Sequence, residues 1–213
     1  MLKVKALTFN PLQENTYVLY NEHHKAIIID PGCYFPVEQE TLKKFIKDTG
    51  LTPVQLLNTH CHLDHIFGNK WVHETWHLEL FLHPDEEKVL AMGPASGERW
   101  GIPFENYAGP LHFLQENDTI QLGEDTLRII LAPGHSPGSI CFYHEAQAIL
   151  FGGDVLFRDS IGRTDLPGGD HDTLLKNIRE KLFVLPDNVT VYPGHGASTT
   201  IGYEKRNNPF FSE

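Results

Sequence analysis

Short apolar or β-branched runs recur along the chain, separated by turn residues, a pattern of many strands with helices between them. Residues 4–9, 16–20 and 26–29 open the series, broken by Asn-Pro and Asn-Glu turn signals. Ile27-Ile28-Ile29 then runs into an Asp30-Pro31-Gly32 turn. From 37 to 47 the spacing changes: Val37, Leu42, Phe45 and Ile46 fall at helical intervals that Gly50 closes. Further on, 54–57 predicts a strand, 71–77 a helix, 80–82 a strand and 85–92 a short helix. Between 93 and 110, Gly and Pro recur among Trp100, Phe104 and Tyr107, which predicts a long loop over one face, a candidate lid. Strand patterns return at 111–114, 119–122, 126–131, 140–143 and 148–151. Residues 172–182 read as a helix capped by Asp170 or Asp172, 189–192 as the last strand, and a short helix is expected from near Ser198. Two strand-rich halves that each carry helices imply an α/β sandwich with helices flanking packed sheets.

Size and composition narrow the function classes. A chain of 213 residues suits one domain with its own core. No window approaches the roughly 18 apolar residues needed to cross a bilayer. The opening Met1-Leu-Lys-Val-Lys is too short and polar for a signal segment, so a cytoplasmic protein without membrane association is expected. Cys33, Cys61 and Cys141 are odd in number and lack CxxC spacing. They predict small buried hydrophobes in a reducing compartment, with no disulfide framework. The formal charge of −11, with no basic cluster longer than a pair, repels phosphate backbone and argues against a nucleic-acid partner.

The candidate chemistry lies in Thr59-His60-Cys61-His62-Leu63-Asp64-His65, an HxHxDH stretch at the end of a predicted strand. Three imidazoles and a carboxylate in so short a span make poor core material, since each needs a polar partner when buried. Together they suit zinc, iron or manganese. In extended or loop backbone His60 and His62 project to one side and can chelate one ion, with Asp64 and His65 turning toward a second. Three later segments repeat one device, an apolar strand, a tight turn and a ligand-type side chain. They are Ile129-Ile130-Leu131-Ala132-Pro133-Gly134-His135, Ile149-Leu150-Phe151-Gly152-Gly153-Asp154 and Val189-Thr190-Val191-Tyr192-Pro193-Gly194-His195. The remaining histidines, His23, His24, His73, His77, His83, His112, His144 and His171, fit surface or structural roles.

This order of ligand residues resembles the metallo-β-lactamase superfamily over essentially the whole chain. The resemblance implies a single-domain αββα four-layer sandwich over residues 1–213, with two divalent metal ions, most simply zinc and otherwise iron or manganese. It assigns His60, His62 and His135 to the first ion and Asp64, His65 and His195 to the second. Asp154 then bridges the two, and Asp30 supports the ligand loops from behind. Ser160-Ile161-Gly162-Arg163-Thr164-Asp165 is similar to the GRTD segment of the glyoxalase II group, and the tail from Gly194 through Thr199, Glu204, Asn208 and Pro209 resembles short bacterial members. Arg163 and Asp165 read as an internal ion pair that fixes the loop after Asp154, with contact to substrate as the alternative.

The resemblance implies a thioester hydrolase in which a metal-bridging hydroxide attacks the carbonyl of S-D-lactoylglutathione, giving D-lactate and glutathione. Asp64 is expected to orient the nucleophile and accept its proton. A thiolate leaves without a strong acid, because thiols ionise near pH 8.5. No helical C-terminal extension for gripping glutathione is expected, which leaves Lys205 and Arg206 as the basic candidates. Two rivals share the fold: a mononuclear iron persulfide dioxygenase and a non-catalytic metal-dependent binding protein. Pro193-Gly194-His195-Gly196 and the tail favour the hydrolase, while Asp154 in place of a bridging cysteine disfavours a β-lactamase.

Overall fold

Strands β1 (Lys3–Phe9), β2 (Glu14–Tyr20) and β3 (Lys25–Ile29) pair antiparallel in a computed structural model that describes residues 1–211. From β3 the sheet continues in parallel through β4 (Thr52–Leu57), β5 (Leu80–Leu82) and β6 (Leu111–Phe113). Each parallel step needs a crossover. These are α1 (Pro36–Asp48), then α2 (Leu63–Ile66) with α3 (Asn69–Trp76), then α4 (Glu87–Trp100). The second sheet starts with the antiparallel strands β7 (Thr119–Leu122), β8 (Asp125–Leu131), β9 (Ile140–His144) and β10 (Ile149–Gly153). A small hairpin of β11 (Leu156–Phe157) and β12 (Ser160–Ile161) follows. Helix α5 (His171–Asn177) then leads to β13 (Thr190–Pro193), parallel to β10, and β14 (Thr199–Thr200) precedes α6 (Ile201–Asn207).

Burial on both faces explains why the central strands read as nearly continuous apolar runs. In β3, Ala26 and Ile28 face the helices of the first half, while Ile27 and Ile29 face the second sheet. In β9, Ile140 and Phe142 meet the first sheet, while Cys141 and Tyr143 face the α5 side. Three apolar layers therefore separate four layers of structure. This is the expected αββα sandwich, and the single-domain mixed α/β reading holds. All three cysteines are buried and free. No helix among the described residues is long and apolar enough to cross a membrane.

The largest departure from the sequence pattern is α4. The expected short helix at 85–92 runs on through Gly93, Pro94 and Gly97 to Trp100, so the expected loop at 93–110 is irregular only over 101–110. The glycines are packing residues: a Cβ on Gly93 would lie 2.8 Å from Ile66 Cδ1, and one on Gly97 2.6 Å from the Ile102 carbonyl. Close packing thus outweighs their weak helix propensity and the roughly 3 kcal/mol cost of an internal proline. The 172–182 helix is shorter than expected, because Ile178–Leu182 continues as a wider π-type turn. Of its two candidate caps Asp170 is the one used, accepting from the Thr173 N–H at 2.7 Å. Asp64 and His65 lie on the helical turn α2, with His62 in extended backbone at its N-cap and His60 before it.

Candidate metal centre

Four strand ends deliver the expected site residues to one edge of the sandwich. β4 leads to His60, β8 to His135, β10 to Asp154 and β13 to His195. Tight turns are obligatory here because the segments nearly touch. Gly153 has φ +49°, and a Cβ on it would meet Thr59 Oγ1 at 2.3 Å. A Cβ on Gly194 would lie 2.1 Å from Asp154 Oδ1. Only glycine lets these backbones approach.

Two triads result, His60, His62 and His135 in one and Asp64, His65 and His195 in the other, each with its ligand atoms within 4.8 Å of one another. In the first, His135 Nε2 faces His62 Nδ1 at 2.8 Å and His60 Nε2 at 3.2 Å. In the second, His195 Nε2 lies 3.0 Å from Asp64 Oδ2. Asp154 sits between them, 3.6 Å from His135 Nε2, 3.5 Å from His195 Nε2 and 3.4 Å from His65 Nε2. The other eight histidines join neither triad among the described residues.

The outward nitrogens are anchored. His135 Nδ1 pairs with the Arg163 carbonyl at 2.7 Å and His195 Nδ1 with the Leu12 carbonyl at 3.1 Å. His65 Nδ1 faces Asp30 Oδ2 at 3.1 Å. Asp30, although close enough to His60 and His65 to form a third cluster, is already engaged: it accepts from the Thr59 N–H, the Thr59 hydroxyl and Asn58. That geometry suits a supporting role more than a ligand role.

Charge divides the triads. Burial first, then neighbouring imidazoles, pushes His60 far below the ordinary value, and His62 falls to about 3 for the same reasons. Burial lowers His135 too. Burial also disfavours the charged forms of His65 and His195, but Asp154 and Asp64 overcome it and raise both. The same ion pairing holds Asp64 and Asp154 below the usual carboxylate range despite their burial. His65 Nε2 and Asp154 Oδ1 are buried without a hydrogen-bond partner. Converging unprotonated nitrogens, two ionised carboxylates and two buried orphan atoms make a donor set that fits divalent metal ions.

Sequence reasoning missed several supporting residues. Fully buried Glu86 accepts from the Cys61 N–H at 2.7 Å, the Ser136 hydroxyl at 2.5 Å and the Gly138 N–H at 2.7 Å. One carboxylate thereby ties the loops that carry His60, His62 and His135. At the start of β2, Asn15 donates its N–H to the Gly194 carbonyl at 2.7 Å, and Glu14 is wholly buried beside His65. None of the three carries a local sequence signal, since the contacts that tie them to the centre are remote along the chain.

A cavity of about 500 Å³ opens beside the ligands, with α4 as one wall. Arg163 lines it but is bound to Asp165 through Nε at 2.7 Å and Nη2 at 2.8 Å, the internal ion pair expected. Lys205 and Arg206 pair with Asp187 and do not line this cavity.

Residues 9–195 match the model of the metallo-β-lactamase superfamily, and the chain belongs to that family. It is 35% identical to the hydroxyacylglutathione hydrolase GloC of Haemophilus influenzae, over 99% of each chain. The crystal structure of the BLEG-1 B3 metallo-β-lactamase superposes with a TM-score of 0.91 at 41% identity, covering 99% of this chain and all of the other. A di-iron-bound form of TTHA1623 superposes with a TM-score of 0.88 at 37% identity, over 97% of this chain and all of that one.

Proposed function

We propose that the chain is a cytoplasmic thioester hydrolase with two metal ions. In this reading His60, His62 and His135 would hold one ion and Asp64, His65 and His195 the other, with Asp154 shared between them. The position of Asp154, within 3.6 Å of imidazoles from both triads, carries the two-ion assignment. Zinc is the simplest occupant, although the likeness to a di-iron protein keeps iron a candidate. Divalent ions held there would supply a water of lowered pKa and a positive partner for a carbonyl oxygen.

The chain's own residues supply the remaining chemistry. Asp64, ionised and held by His195, orients the attacking water and accepts its proton. Asp30 and the Arg163 carbonyl fix the tautomers of His65 and His135. The Arg163–Asp165 pair stiffens the loop after Asp154. No acid is needed for the leaving group when it is a thiolate. The GloC likeness supports S-D-lactoylglutathione as the substrate to test first.

The BLEG-1 likeness supports a second reading, β-lactam hydrolysis at the same centre. An amide nitrogen leaves only with a proton, which separates the two chemically. Initial rates on S-D-lactoylglutathione and on a β-lactam decide between them, with oxygen uptake on glutathione persulfide measured alongside. Thioester cleavage at least a hundredfold more efficient than lactam cleavage is expected. Oxygen uptake with one iron per chain and no thioester cleavage would sink the hydrolase reading.

A further inference from the structure

The cavity wall formed by α4 is graded along its length. Its first residues adjoin the ligands, because Glu86, the residue before the helix, is bonded to the Cys61 N–H between His60 and His62. Val89, Met92, Ser96 and Arg99 follow at helical spacing on the face that lines the cavity. Arg99 lies in the last turn, roughly 20 Å along the helix axis from Glu86 at 1.5 Å per residue. The rest of the lining is mainly apolar and includes Leu12, Phe157 and Leu166. Met92 and Trp100 remain 48% and 52% exposed there, large apolar surface without a partner.

Arg99 is the exception in charge. Its guanidinium makes no hydrogen bond, ion pair or ring contact among the described residues. The other arginine of the cavity, Arg163, is neutralised by Asp165. On a chain of net charge −11, an unpaired cation at the end of an apolar trough is a ready anion receptor.

We propose that Arg99 is a specificity-determining residue that captures the anionic thiol arm of the substrate while the apolar lining receives an apolar acyl group. The substrate class is then an apolar acyl thioester of a thiol carrying carboxylate or phosphate. This rests on the thioester reading above, although its test does not need turnover.

Thioethers, which hold no cleavable carbonyl, serve as probes in titration calorimetry of the metal-loaded protein at low salt. The probes are S-hexylglutathione (carboxylates), S-hexyl-coenzyme A (phosphates), neutral S-hexyl-N-acetylcysteamine, and S-methylglutathione. At least one anionic hexyl probe should bind about tenfold tighter than the neutral one, equivalent to about 1.4 kcal/mol. Which of them does so identifies carboxylate or phosphate. S-methylglutathione should bind more weakly than S-hexylglutathione. In Arg99→Met the anionic advantage should vanish while the neutral probe binds as before, and Arg99→Lys should keep part of it. A neutral probe that binds as tightly as both anionic ones, or an advantage that survives Arg99→Met, overturns the proposal. Failure to hydrolyse any thioester would instead remove the proposed reaction and leave this binding result standing.

Discussion

His65 faces carboxylates from both sides, and the two contacts do different things. Asp30, engaged by Thr59 and Asn58, holds Nδ1 and leaves Nε2 directed at Asp154 and Asp64. Asp30→Asn keeps the shape but weakens the acceptor. It should lower metal affinity about 10- to 100-fold in a chelator competition, and unchanged affinity would contradict the supporting role. Glu86 is the second such residue. Glu86→Gln turns a donor toward the Cys61 N–H and should cost about 1–3 kcal/mol in urea unfolding. A midpoint identical to that of the parent protein would show that the tie is idle. The ligands themselves were legible because each follows a strand and a turn within a few residues. Glu86, Glu14 and Arg99 were not, since what defines each of them is a partner, or the lack of one, far away in sequence.

Helix α4 shows how an element can hide. Gly and Pro are breakers by propensity, and only contacts with Ile66, Ile102 and Phe104 reveal Gly93 and Gly97 as packing residues. Gly97→Ala gains helix propensity but pushes a methyl against the Ile102 carbonyl. A net loss of about 1–3 kcal/mol is expected by thermal denaturation, and stabilisation would contradict the packing account. The α5 cap is a pH-sensitive element outside the centre. Bonding to Thr173 lowers the Asp170 carboxyl, so the folded chain holds this proton less tightly than the unfolded chain does. The cap's stabilisation is therefore present above about pH 3.9 and lost as pH falls below it. Asp170→Ala should melt earlier than wild type at pH 7, with the gap closing toward pH 3. A gap of constant size would contradict the charged-cap account. Strands were read more reliably than helices here because burial on both faces leaves long apolar runs that few other elements produce.

At the scale of the molecule, two sheets bring four distant segments together, so the centre is a property of the sandwich and of no single motif. Residues 59–65 alone contribute four side chains, and the other three arrive from β8, β10 and β13. That convergence follows the general rule that open α/β sheets place their sites at the carboxyl ends of strands. The central claim is that Asp154 joins two metal ions into one hydrolytic centre, and metal stoichiometry tests it most directly. Elemental analysis after dialysis should find two divalent ions per wild-type chain and no more than one in Asp154→Ala. A single ion in the wild type, or two retained by the variant, would contradict the account.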